Sequence, residues 1–263
     1  MSATPKLRAR RLRTWRTVMA LMLREMSTTY GRSPGGYIWA VLEPVAAIGL
    51  LTIVFSLVLK SPGLGTNFPL FYATGYLPFS FYQQVAGKTG AAIGFSKPLL
   101  AYPGVTYVDS IIARFMLNAL TNLMIMYIVF TGIIIVYDTR SIIDVMSLAQ
   151  ALAMSAALGL GIGCLNCYLG ATFPIWGVIW TVINRPLFIA SCIFFTFDQA
   201  PRFAQDFLWW NPLVHIVGMM RRGFYPTYDA GYVSTLYVYS IAIVTMCLGL
   251  ILLHRYHKDI LND

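Results

Sequence analysis

The sequence predicts an all-α integral membrane protein of six transmembrane helices, with an N-terminal interface helix and re-entrant helices between the fifth and sixth spans. Three observations predict it. Of the 263 residues 58% are hydrophobic and only 11% charged, whereas a soluble domain carries about a quarter charged residues. Six apolar stretches, at 37–59, 69–87, 108–136, 145–171, 176–197 and 232–253, fit the roughly 17–25 residues that a helix needs to cross a bilayer. None of them shows the ten-residue alternation of a membrane barrel strand.

The first element precedes the spans. Leu12, Trp15, Met19, Met22 and Met26 recur at spacings of three and four with arginines between them. That pattern predicts an amphipathic helix along the cytoplasmic interface, its apolar stripe in lipid and its arginines at phosphate level. Pro34-Gly35-Gly36 ends it and lets the chain turn into the first span. Residues 1–33 thus form the interface segment, 34–254 the six-span bundle and 255–263 a tail, all within one domain.

The second span is interrupted by Pro78 and the fifth by Arg185-Pro186, so their limits are soft. The fourth carries Ala151, Ser155, Gly159, Gly163, Cys167 and Ala171 at four-residue intervals. Small residues at that spacing bring two backbones close together; packing within one bundle accounts for them, and a subunit interface is the alternative. Segment 198–231 is too apolar for a solvated loop and too short for two crossings, which need about forty residues. It predicts short re-entrant helices at the outer leaflet, with Trp209 and Trp210 at headgroup depth and a break at Asn211-Pro212.

Charge sets the orientation. Residues 1–32 hold eight Lys/Arg against one acid, Glu25, so the N-terminus is expected in the cytoplasm. Six spans return the C-terminus to that side, where Arg255 and Lys258 agree, as do Lys88 and Lys97 in the loop at 88–107. No signal-peptide core or cleavage site precedes the first span. In this context the basic N-terminus reads as a topology signal that also touches anionic lipid, not as a nucleic-acid surface.

The chemistry-bearing motifs are few. "AGKTG" at 86–90 lacks the first glycine of a phosphate loop, since position 82 is Tyr82. Cys164 and Cys167 have redox spacing but lie on the small-residue ladder, and Cys192 and Cys247 also fall inside spans. His215, His254 and His257 make no metal spacing. No cofactor, metal or catalytic constellation is expected.

Glu43, Arg114 and Arg185 each lie about seven residues inside a span, roughly 10 Å deep at 1.5 Å per residue. Unpaired charge there is costly. Either Glu43 pairs with one of the arginines, or the three form a polar mouth for an anionic substrate. Tyr72, Tyr76 and Phe79 share one face of the second span. Such a face suits stacking on sugar rings, and ordinary packing is the alternative. Arg221 and Arg222 lie near the outer mouth, where paired arginines offer bidentate contacts to carboxylates or phosphates; lipid phosphates, Asp206 or Asp229 are the competing partners.

The basic helix followed by "YGRSPGGYIWAVLEP", together with "WWNPLVHIVGMMRRGFYP" before the last span, resembles the membrane subunits of type-2 ABC exporters for polysaccharides. Capsular polysaccharide permeases are the most similar, and the resemblance covers nearly the whole chain. The family pattern has Leu-Gly where this chain has Pro34-Gly35-Gly36. The resemblance implies a homodimer on separate cytoplasmic ATPase subunits that bind the ATP. The pair would move a lipid-linked polysaccharide across the bacterial inner membrane toward periplasmic and outer-membrane export proteins. It places Tyr37, Trp39, Glu43 and Pro44 at the channel entrance. It also makes the loops at 88–106, with Lys97, Pro98, Leu99, Leu100 and Tyr102, and near 172–178 coupling elements to the ATPase. O-antigen or teichoic-acid export, export of small lipids or drugs, and a glycolipid transferase are the rival readings. Against the last, no carboxylates cluster on the cytoplasmic loops.

Overall fold

The computed structural model describes residues 4–29, 35–100, 105–137, 139 and 142–262, and every regular element among them is helical. In chain order these are α1 (Thr4–Thr29), α2 (Tyr37–Val58), α3 (Phe68–Gly90), α4 (Ala92–Leu100), α5 (Tyr107–Tyr137), α6 (Val145–Thr172), α7 (Trp176–Ile189), a 3₁₀ turn (Phe197–Gln199), α8 (Arg202–Leu208), α9 (Pro212–Phe224) and α10 (Thr235–Asn262). Among the described residues four stretches are long and apolar enough to cross a membrane: Ile38–Val58, Tyr107–Tyr137, Val145–Thr172 and Thr235–His257.

The small residues of the fourth apolar stretch decide the packing. A Cβ on Gly163 would lie 2.7 Å from the Thr89 Cβ, and one on Gly159 2.9 Å from Val85. On another side of α6, a Cβ on Gly161 would meet the Ala242 carbonyl, while one on Gly249 of α10 would come within 2.5 Å of the Cys164 backbone. So α6 lies between α3 and α10 with all three backbones nearly touching, the arrangement that small residues permit. Cys164 and Cys167 are buried free thiols within this contact. Packing inside one chain accounts for the ladder.

At the start of the chain Val18, Leu21 and Met22 of α1 bury themselves against Ala113 and Leu117 of α5. Trp15, Met19 and Met26 remain exposed. The expected lipid-facing stripe is therefore divided, with Met22 on the protein side; the Leu12 side chain and Pro34 lie outside the described residues. Gly35 and Gly36 have φ of +97° and +41°, a backbone that glycine adopts without a steric cost, and here the chain turns into α2.

The proline in α3 does not end it, for the helix runs unbroken through Pro78 over 23 residues. The fifth stretch is different. α7 passes Pro186 but stops after 14 residues, about 21 Å at 1.5 Å per residue, short of the ~30 Å hydrocarbon core. A non-helical run at 190–196 follows, with Ser191, Cys192 and Ile193 fully buried. Its carbonyls are taken by side chains instead of a continuing helix: Asn211 Nδ2 donates to the Ala190 oxygen at 2.9 Å, and Arg221 donates to those of Phe195 and Ile193. The expected span at 176–197 is thus helical over its first part only.

α8 and α9 are separated at the expected place. Asn211 caps α9 by accepting the Leu213 N–H at 3.0 Å, with Pro212 as the first helical residue, where a missing N–H costs nothing. α9 packs along α3 and α6.

Candidate functional site

Two helix faces enclose a cleft. Tyr76, Phe79, Gln83 and Gly87 project from one side of α3, and Trp176, Trp180, Asn184 and Phe188 recur every fourth residue along α7. Residues three and four apart share a helix face, so each set forms a stripe. Between the stripes lie two cavities of about 540 and 630 Å³ that share Gly87 and Trp180, and together they make one groove.

Aromatic rings surface much of it. The Phe188 ring meets Phe79 edge-on at 5.1 Å and Tyr76 at 6.3 Å, while Trp176 and Trp180 lie nearly parallel at 6.4 Å. Amides sit between the rings. Asn184 donates to the Trp180 carbonyl at 2.8 Å, leaving its buried Oδ1 without a partner among the described residues. Asn166 of α6 accepts the Trp176 indole N–H at 3.0 Å, and its Nδ2 is likewise unpartnered. The half-buried rings and the exposed amide of Gln83 offer stacking faces and hydrogen bonds together, which is the chemistry that sugar rings require.

The residues singled out from the sequence divide sharply. Tyr76, Phe79 and Arg185 line the groove. Glu43 is exposed on α2, within electrostatic reach of Tyr76. Tyr72 is fully buried, packed against Phe55, Phe68 and Phe71 at ring distances of 5.3, 6.3 and 5.3 Å. Trp39 lies outward on α2, and the Tyr37 side chain is outside the described residues.

The expected pairing of Glu43 with Arg114 or Arg185 is corrected. Arg114 Nε donates to Glu25 Oε1 of α1 at 2.9 Å, with both residues buried. Glu43 makes no ion pair among the described residues, because α1 lies against the foot of α5 and brings its own carboxylate there. The Arg114 guanidinium also lies over the Phe95 ring of α4 at 4.3 Å, and Arg24 approaches that ring at 5.2 Å.

Arg221 and Arg222 do not act as a pair. Arg221 is wholly buried, its Nη1 and Nη2 donating to the Phe195 and Ile193 carbonyls at 2.8 and 2.9 Å and its plane over Phe71 at 4.3 Å. Burial lowers its pKa from the ordinary arginine value. Arg222 is exposed and borders a 440 Å³ recess with Asp144 and Asp229. The Ser147 hydroxyl, donating at 2.6 Å, holds the Asp144 carboxyl below its usual range, helped by the Met146 N–H and the charge of Arg222.

Trp209 is half-buried, stacked on Tyr237 at 5.2 Å, and its indole donates to the Tyr232 carbonyl at 3.2 Å; Trp210 is exposed. In α4, Lys97 and Pro98 are exposed. Leu99 and Leu100 anchor the helix to two apolar clusters, and Ser110 of α5 hydrogen-bonds Ser96 at 2.7 Å. Tyr102 lies outside the described residues. Sequence reasoning passed over Trp176, Trp180, Asn184 and Phe188, although their four-residue spacing was readable.

The match to the ABC-2 type transporter family model covers residues 16–225. The chain is 31% identical to the polysialic acid transport protein KpsM of Escherichia coli, over 94% of this chain and 96% of that one. It is 25% identical to the capsule polysaccharide export inner-membrane proteins BexB of Haemophilus influenzae and CtrC of Neisseria meningitidis. Each of those matches covers 93% of this chain and 92% of the relative.

Proposed function

The chain belongs to the ABC-2 type transporter family, and on that premise we propose that it is the membrane subunit of an exporter that carries a lipid-linked capsular polysaccharide across a bacterial inner membrane. Two copies form the channel. In each, α2, α3, α5, α6, α10 and the stretch made by α7 with the run at 190–196 serve as the six spans, and α8 and α9 dip into the outer leaflet. α1 and the end of α10 lie in the cytoplasm, where the basic residues of 1–32 collect. ATP is bound and hydrolysed by a separate ATPase subunit, which α4 contacts through Lys97, Pro98 and the segment up to Tyr102. On the far side the polymer passes to periplasmic and outer-membrane partners.

The observation that carries this reading is the groove between α3 and α7. Tyr76, Phe79, Trp180 and Phe188 give it ring surfaces, while Gln83 and Asn184 give it amides. A polymer that slides must be held by many weak contacts and by no deep one. The half-buried rings of Tyr76, Trp180 and Phe188 and the exposed amide of Gln83, set along two stripes, meet that need better than a closed pocket would.

The test uses the chain with and without its ATPase. The purified chain alone should show no ATP hydrolysis. The complete complex should hydrolyse ATP and restore surface polymer to a strain lacking its own permease. Trp180→Ala, which removes a ring from the middle of the groove, should cut that polymer while leaving assembly with the ATPase intact. Hydrolysis by the isolated chain, or full polymer from Trp180→Ala, would overturn the reading.

A further inference from the structure

α4 is short, and what it can move depends on what holds it. A break at Ala91 separates it from α3. Its Ala92, Ile93 and Ser96 are buried, and the Ser110 hydroxyl of α5 lies 3.1 Å from the Ala92 carbonyl oxygen and 2.7 Å from the Ser96 hydroxyl. Further along, Leu99 joins the apolar cluster of Val18, Leu21 and Met22 from α1 with Ala113 and Leu117 from α5. α4 is thus seated on α5 and α1 together, while Lys97 and Pro98 stay exposed.

Phe95 adds a contact of a different kind. Its side chain is half-buried, and its ring takes the Arg114 guanidinium of α5 at 4.3 Å and that of Arg24 of α1 at 5.2 Å. The two cations share one carboxylate. Glu25, the neighbour of Arg24 on α1, accepts from Arg114 Nε at 2.9 Å, and Arg24 makes no ion pair among the described residues. Cations are drawn to the face of an aromatic ring, most strongly where water is excluded, whereas like charges repel. The ring therefore holds together two guanidiniums that would otherwise separate, and it does so across three helices.

Both arginines stand on elements that lead toward the groove. Beyond Glu25 the chain reaches Gly35 and Gly36, whose φ of +97° and +41° turn it into α2, and α2 carries Glu43 to within electrostatic reach of Tyr76. From Arg114 the 31-residue α5 continues through Asn118 to Asn122. There Asn122 Nδ2 donates to Gln84 Oε1 of α3 at 3.3 Å, beside Gln83 of the groove. An apolar contact such as that of Leu99 is non-directional. A guanidinium seated over a ring follows that ring.

We propose that Phe95 is a positioning residue for the ATP-driven step: its ring fastens α4 to Arg24 and Arg114, so that a displacement of α4 carries α1 with it, and α2 through the Gly35-Gly36 corner. The inference rests on the export reading, which sets a separate ATPase against α4. Phe95 acts through the two arginines. Without the ring, α1 keeps its apolar seat on α5, and α4 keeps its contacts through Ser96 and Leu99. What is lost is the directional contact that passes a load from α4 to α1.

The test uses the full chain with its ATPase subunit, in nanodiscs and in a strain lacking its own permease. A spin label at Ala20→Cys, an exposed position of α1, reports the distance between the two copies of that helix; the background is Cys247→Ser, because the other three cysteines are buried. In the parent this distance should shift when ATP binds. Phe95→Leu, which keeps an apolar side chain and removes the ring, should abolish the shift. It should also lower surface polymer about tenfold, the scale of one lost cation–π contact. Thermal unfolding, assembly with the ATPase and ATP hydrolysis should stay as in the parent. Phe95→Tyr should keep both the shift and the polymer. Arg24→Gln, which spares the ring and the Glu25–Arg114 pair, should behave as Phe95→Leu does. An unchanged shift in both Phe95→Leu and Arg24→Gln overturns the proposal, and polymer lost from Phe95→Leu with the shift intact would make the ring a contact for the polymer instead. If both variants unfold or fail to assemble, the contact is structural only and the proposal falls. A parent complex that shows the shift but moves no polysaccharide would refute the export reading and leave the role of Phe95 standing.

Discussion

Gly87 offers a perturbation that separates folding from transport. It lies in α3, borders both cavities of the groove, and has no atom within 4 Å of where a Cβ would stand. In Gly87→Leu the new side chain projects into the groove where its upper and lower parts meet. Local energetics favour the variant, because glycine inside a helix costs about 0.8–1.0 kcal/mol relative to good helix formers. Nothing packed is displaced. Thermal unfolding of the purified protein should therefore be unchanged or shifted slightly upward. Export should fall about tenfold or more, which needs only ~1.4 kcal/mol of added barrier. The assay pairs that unfolding curve with surface polymer from a complemented strain. Full polymer from a stable Gly87→Leu variant refutes the groove as the path. Loss of polymer together with loss of the dimer would make this face a subunit contact instead.

Two further outcomes follow from the charges. Glu25→Gln leaves a buried Arg114 uncompensated and should destabilise the chain by about 3–5 kcal/mol, whereas Glu43→Gln, at an exposed site, should stay within about 0.5 kcal/mol of the parent; chemical denaturation in detergent compares the two, and the reverse order would reinstate Glu43 as the structural partner. His215 on α9 is neutral by construction, since its Nε2 lies 2.8 Å from the Trp209 carbonyl and its Nδ1 accepts the Ser234 N–H at 3.1 Å. Burial lowers its pKa below the ordinary 6.5. The neutral ring's contribution is thus complete above the unfolded value and is lost as pH falls below 6.5 toward the folded one. Unfolding temperature should drop on acidification from about pH 7 to about pH 5, and His215→Gln should flatten that drop; an identical pH profile in the variant would exclude the histidine as its source.

What the sequence made legible depended on the range of the interaction. α2, α5, α6 and α10 come from long apolar runs, and the break between α8 and α9 from Asn211-Pro212, all local signals. The end of α7 was not legible. Residues 190–196 are as apolar as any span, and only Asn211 and Arg221, some twenty to thirty positions later, turn them from helix to a tied-down loop. Glu25 was hidden for the same reason: it stood as one acid in a basic stretch, and its partner is 89 residues away. Tyr76 and Tyr72 show the limit of a periodicity argument. Four residues apart on one helix face, one borders a groove and the other is sealed under Phe55 and Phe68.

Arg114, Arg185 and Arg221 find three different settlements, and the third explains where the groove ends. Arg114 takes a carboxylate, and Arg185 stays at the groove's edge. Arg221 has neither, and still lies at the centre of the fold. Non-helical backbone at membrane depth is tolerated only where its polar groups are satisfied by protein. A guanidinium with five donors can serve several carbonyls at once. Arg221 does so for Ile193 and Phe195, while the Phe71 ring faces its charge at 4.3 Å. That hold fixes Phe194 between the two carbonyl residues and sets its ring edge-on against Phe188 at 5.3 Å, beside the last residues that line the groove, Phe188 and Ile189. The residue that the sequence offered as a contact for the polymer thus lies one step behind the groove, where it holds the run after α7 and so fixes that end of the groove's aromatic surface.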